Sequence, residues 1–158
     1  MEIIDPAAAG PVPGRYRDGG EAARIALIAQ SHLRLVGAPL VEDRGDIVAA
    51  LWRAPRAIVA HGTEDDPVFF FGNACAPAAF ECTCEQFTVM PSRLSAEAPL
   101  REERQALLDR VTRDGFIRDY AGIRISAAGR RFAIAGATVW NLIDADGRHC
   151  GQAATFVP

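Results

Sequence analysis

Lysine is missing from this sequence: all 17 basic side chains are arginine. Schiff-base chemistry and the phosphate-binding lysine of a P-loop are thereby excluded. Long apolar runs are missing as well. The longest span only a few residues, against the roughly 20 that a membrane-crossing helix needs, so no membrane partner is expected. The opening Met1-Glu2-Ile3-Ile4-Asp5 is acidic and leads into no apolar segment, so no secretory signal is expected either. The four cysteines, Cys75, Cys82, Cys84 and Cys150, are then expected as reduced thiols in the cytoplasm. A dominant charge is lacking too, since 17 basic against 20 acidic residues leave a net charge of −3. That balance disfavours direct nucleic-acid binding.

What is present describes one globular domain. With 158 residues, 49% of them hydrophobic, the chain can bury enough surface to fold without disulfides or a structural metal. Pro6, Pro11, Pro13 and several glycines make residues 1–20 a flexible leader. Residues 21–55 form a helical arm. Ile25, Ile28, Ala29 and Val36 recur at helical spacing from Glu21 to Val36, until Gly37 and Pro39 end the run, and a second helical stretch, Ile47 to Arg53, stops before Pro55. His32 on the first helix is expected to face solvent or a partner.

From residue 56 to 158 the period changes to that of a sheet. Ala57–His61 and Val68–Phe71 read as a hairpin, and Asn73 stands where it would cap a short helix through Phe80. Pro99–Arg113 is the clearest helix, with Leu107, Leu108 and Val111 in its stripe and Gly115 as its stop. Ile117–Ser126 places Ile117, Ala121, Ile123 and Ile125 on one face and Arg118, Tyr120 and Arg124 on the other. Arg131–Ile143 alternates Phe132, Ile134, Thr138, Trp140 and Leu142 with a second apolar row, which predicts an interior strand covered on both sides. After the Asp146-Gly147 turn, Cys150–Val157 pairs back.

At the level of residues, several motifs are similar to those of the MEKHLA domain family. They are Phe71-Gly72-Asn73, Pro91-Ser92-Arg93-Leu94, Arg101-Glu102-Glu103-Arg104, Tyr120-Ala121-Gly122-Ile123-Arg124, Ala137-Thr138-Val139-Trp140-Asn141-Leu142 and Gly151-Gln152-Ala153-Ala154-Thr155-Phe156. The resemblance runs from about Ile25 to Phe156. It implies an α+β, PAS-like fold: a five-stranded antiparallel sheet with helices on one face and an N-terminal helical arm. It also implies a sensing or dimerisation module, and supplies neither a reaction nor a ligand. Light-sensing PAS relatives carry a cysteine in the stretch corresponding to Pro91–Leu94, and haem-binding ones a histidine on the long helix. This chain has neither, so flavin and haem in their usual form are not expected and the cofactor is left unassigned.

A pocket under such a sheet is mostly apolar with a few placed polar groups. Arg93, Arg104, Tyr120, Thr138, Trp140, Asn141 and Gln152 are the candidate ligand-binding residues, for an uncharged or weakly polar organic molecule. No catalytic residue is assigned. The arginines Arg93, Arg101, Arg104, Arg124, Arg130 and Arg131 are expected to pair with Glu97, Glu102, Glu103, Asp109, Asp114 and Asp119 in a structural network. Cys82-Thr83-Cys84 with Cys75 and His149-Cys150 has poor spacing for zinc, so no metal is expected. A cysteine nucleophile beside His61 or His149 lacks a local signature. The leading expectation is a non-enzymatic sensory or regulatory module. The alternatives are a small-molecule enzyme on a nuclear-transport-factor-like cone, using Asp119 or His61, and a dimerisation domain whose core fills itself. The apolar width of the first helix predicts a homodimer through the arm.

Overall fold

The computed structural model describes residues 9–97 and 100–157. Pro99, expected in the first turn of the long helix, lies outside them, as does most of the first half of the leader. Five strands form one antiparallel sheet: β1 (Ala57–His61), β2 (Phe69–Gly72), β3 (Phe116–Ile125), β4 (Arg131–Ile143) and β5 (His149–Val157), in the order β2-β1-β5-β4-β3. The last strand in sequence is thus the middle one in space. This is the five-stranded architecture that the motifs implied.

Helices cover both faces. The arm, α1 (Gly19–Val36) and α2 (Ile47–Trp52), lies on one, where Ile25, Ile28, Leu51 and Trp52 pack with Trp140 and Leu142. On the other face lie α3 (Cys75–Phe80), α4 (Cys84–Phe87) and α5 (Arg101–Asp114), the helices inserted between β2 and β3. Phe69, Phe80, Phe87, Phe132 and Phe156 build an aromatic cluster there, with Phe69 stacked on Phe87 at 4.4 Å. Ile25 and Ile28 are covered by the chain's own sheet, and Leu33 is the exposed large side chain of α1.

Several expectations need correcting. The leader is anchored at its C-terminal end: a 3-10 turn over Gly14–Tyr16 buries Tyr16, whose hydroxyl donates to the Gly72 carbonyl and accepts from the Gly72 amide. His32 is buried, edge-on to Trp140 at 4.8 Å with Nδ1 on the Ala38 carbonyl, because its place on α1 turns it toward the sheet. Asn73 does not cap α3 with its side chain. Its Oδ1 accepts from the Ile58 amide and its Nδ2 donates to the Ala54 and Arg56 carbonyls, so it fixes the entry into β1. The cap of α4, by contrast, is a reciprocal capping box between Thr83 and Gln86.

The faces of β3 and β4 also differ from simple alternation. β4 bulges between Ala135 and Thr138, where Gly136 takes φ +60. The bulge shifts the period by one residue, so Phe132, Ile134, Ala137 and Val139 face the α3–α5 side while Trp140 and Leu142 face α1. Residues 137–143 are covered on both sides, whereas Ala133 and Ala135 are exposed. β3 bulges on either side of Tyr120, with Asp119 at φ +55. Tyr120 and Arg124 accordingly point inward, and Ala121 and Ile123 point out. Among the described residues no helix is long and apolar enough to cross a membrane.

Candidate functional site

A cavity of about 60 Å³ lies between the sheet and α5. Arg104, Leu107, Leu108 and Val111 fall at i, i+3, i+4 and i+7 on α5, so they share the face turned to the sheet. The first three line the cavity. β1 contributes Val59 and His61, β3 Tyr120 and Arg124, and β5 Gln152, Ala154 and Phe156. The walls are largely aliphatic and aromatic, and no carboxylate is among the lining residues. Gly122 lets the Tyr120 phenol lie back along β3, since a Cβ there would collide with its hydroxyl. Arg124 donates to that hydroxyl at 3.3 Å and to the Ile123 carbonyl at 2.9 Å.

The polar groups here are held in unusual states. Arg104 is 8% exposed. Burial, and then the neighbouring Arg124 charge, bring its guanidinium down to about 10, with Tyr120 acting the other way. It is nevertheless protonated at neutral pH. His61 is equally buried; its Nδ1 lies 2.9 Å from the Gly62 carbonyl, and its Nε2 has no hydrogen-bond partner. Burial pushes the imidazole down to about 4, so it is neutral in the native protein.

This has a pH signature. Between about pH 6.5 and 4 the unfolded chain protonates His61 while the native chain does not, so the unfolded state binds more protons and stability falls as pH drops through that window. The full loss is about 3 kcal/mol for this group. Burial lowers His32 and His149 too, so both act in the same direction. Thermal melts of wild type and His61→Asn from pH 7 to 4.5 are expected to converge toward low pH, the wild type losing more. Parallel curves would mean that His61 is not held neutral.

The candidate residues separate into three groups. Arg104, Tyr120 and Gln152 meet at the cavity. Asn141 sits beside it and serves α5: its Nδ2 donates to the Val111 and Thr112 carbonyls, and its Oδ1 accepts from Gln152, which also bonds the Leu108 carbonyl. Asn141 and Gln152 thereby bind the last turns of α5 to the sheet. Arg93, Thr138 and Trp140 are elsewhere. Arg93 is on the surface, paired with Asp66 at 3.1 Å. Thr138 and Trp140 face the arm because of the Gly136 bulge, Thr138 on the floor of a wide groove beside α2 and Trp140 in the core. His61, named from sequence as a base for the enzyme alternative, and Arg124, expected in the ion-pair network, complete the cavity.

The expected arginine network is only partly present. Arg130 pairs with Glu81, Arg131 with Glu97 and Arg113 with Asp114. Arg101 donates to the Ala96 carbonyl instead. Glu102, Glu103 and Asp119 are all exposed. The cysteines are dispersed: Cys75 lies in the core of the α3 face, Cys84 contacts the Tyr16 hydroxyl at 3.1 Å, and Cys150 donates to the Arg148 carbonyl.

A family model, that of the MEKHLA domain, matches residues 22–158. Among curated proteins none matches in sequence. Solved structures show the fold. A PAS domain of a protein from Colwellia psychrerythraea superposes with a TM-score of 0.59 at 13% identity, covering 68% of this chain and 88% of that one. A light-oxygen-voltage domain gives 0.55 at 13% identity, covering 72% and 84%. The PAS domain of a LuxR-family transcriptional regulator from Burkholderia thailandensis, solved in complex with ethanol, gives 0.52 at 19% identity, covering 67% and 91%.

Proposed function

The chain belongs to the MEKHLA domain family, and from that membership and the cavity under α5 we propose that it is a non-enzymatic sensory or regulatory module that binds a small ligand between α5 and the sheet. The observation that carries this is the convergence of Arg104, Tyr120, Arg124, His61 and Gln152, from four different elements, on one apolar cavity. Binding sites are built this way, with few polar groups against apolar walls. A comparable fold in the Burkholderia regulator was solved with ethanol, a molecule small enough for a chamber of this size. An enzyme on the same frame is less well supported. His61 is its best candidate base, but Asp119 lies on the exposed bulge of β3 and brings no carboxylate to the cavity.

The small volume favours a second reading, in which the cavity is a packing remnant and the domain works through protein association. The outer side of α1 offers a surface for it: Leu33 is 53% exposed beside a groove formed with Pro39, Leu40, Val41 and Ile47. A homodimer through this arm is part of that reading. Native mass spectrometry of the purified full chain addresses both. A monomer or dimer carrying a retained low-mass adduct supports ligand binding. A dimer with no adduct, whose melting temperature responds to no small molecule in a fragment panel, supports association and overturns the ligand reading.

A further inference from the structure

Arg104 is a charged group without a partner. Among the described residues no acceptor bonds its guanidinium and no carboxylate pairs with it, although it is more than nine-tenths buried. The charged group that bears on it most is another cation, Arg124. Buried charges are normally paired, because removing one from water is costly and a like-charged neighbour adds to the cost. A guanidinium presents five donors in a planar fork suited to the two oxygens of a carboxylate. Nothing in the overall charge accounts for two arginines meeting here, since the protein is net acidic. Another lining group, His61, is neutral and adds an open ring nitrogen rather than a counter-charge.

Resting on the ligand-binding reading above, we propose that the cavity takes a small organic monocarboxylate, with Arg104 receiving its carboxylate and the apolar walls receiving a short alkyl chain. Volume sets the size. A cavity of about 60 Å³ holds only a few heavy atoms, the scale of acetate or propionate. The walls set the class: beyond the polar groups, Phe69, Phe80, Leu107, Ile134, Val139 and Phe156 line the chamber with aliphatic and aromatic surface, which suits a short alkyl chain rather than the further oxygens of a phosphate or sulfate. The uncharged ligand expected from sequence would leave Arg104 unneutralised.

The test is thermal melting and calorimetric titration of the full chain at constant ionic strength with sodium propionate, sodium phosphate and the neutral isostere propionamide, on wild type and Arg104→Met. Propionate is expected to raise the wild-type Tm, and phosphate and propionamide to leave it unchanged. Arg104→Met is expected to weaken propionate at least tenfold, as loss of charge-assisted hydrogen bonds does. Without any anion the variant is expected to melt a few degrees higher than wild type, because it removes an unpaired buried charge. A variant that melts lower, or that binds propionate as wild type does, overturns the assignment. If Arg104→Met fails to fold, the wild-type titration followed through the His61 ring resonances decides, a shift with propionate supporting the proposal and none overturning it. Stabilisation by propionamide or phosphate in preference to propionate overturns the carboxylate class while leaving ligand binding intact. Response to none of the three removes the carboxylate class, and with an adduct-free native mass removes ligand binding as well.

Discussion

Replacing Trp140 with alanine is expected to cost about 3–5 kcal/mol of stability, the range for deleting a large buried aromatic. The ring is fully buried at the joint between β4 and α1. Its Nε1 donates to the Ile28 carbonyl at 3.1 Å and its ring meets the His32 imidazole edge-on. The surrounding side chains, Ile25, Ile28 and Leu142, are themselves fully buried and belong to elements that the sheet holds in place, so the hole cannot close easily. Urea denaturation followed by circular dichroism measures the loss. A change below about 1 kcal/mol would mean that α1 does not dock on the sheet through this residue.

Gly151→Ala is expected to be at least as damaging, about 4 kcal/mol or more, and to lower soluble yield. Two causes combine. Gly151 takes φ +143, a backbone conformation that L side chains rarely adopt, and an added Cβ would fall on the carbonyl oxygen of His61 in the neighbouring strand. Backbone cannot swing aside as a flexible side chain can. β5 is moreover hydrogen-bonded on both sides, to β1 and β4, so displacing it disturbs two ladders. Gly20→Ala is the control: nothing lies within 4 Å of its Cβ position and its φ is ordinary, so a melting temperature within a few degrees of wild type is expected. If both variants melt alike, the close approach of β5 to His61 is wrong.

The strands were legible because their apolar runs end at glycines, prolines and acidic turns; β1 and β4 occupy the predicted residues. The faces were less so. One bulge at Gly136 and another pair around Tyr120 reverse the alternation downstream, and a bulge leaves no mark in hydropathy beyond a glycine that also suits a small-residue row. That is why Trp140 and Thr138, placed by alternation on the same face as Phe132 and Ile134, read as cavity residues. Arg104 shows a different limit. Glu102 and Glu103 precede it directly, which makes pairing look easy, yet neighbours one and two apart on a helix project to different sides. Both glutamates are exposed while Arg104 faces the sheet. His61, named from sequence as the base of an enzyme alternative, sits at the end of a fully buried strand, where an imidazole is costly to dry.

The position of β5 bears on how the chain can acquire its shape. β1 pairs with residues 152–156, so the two halves of the sheet, β2-β1 and β4-β3, are joined only by the last segment of sequence. During synthesis the first half waits for its neighbour across a loop of about ninety residues, whose closure entropy must be met before any of that pairing repays it. Until then the unpaired edge of β1, with its apolar side chains, is open to wrong partners. The sheet therefore cannot close until β5 has been made, however early the β2-β1 hairpin forms. A chain cut short before β5 would hold two unconnected sheet fragments instead of a slightly smaller domain.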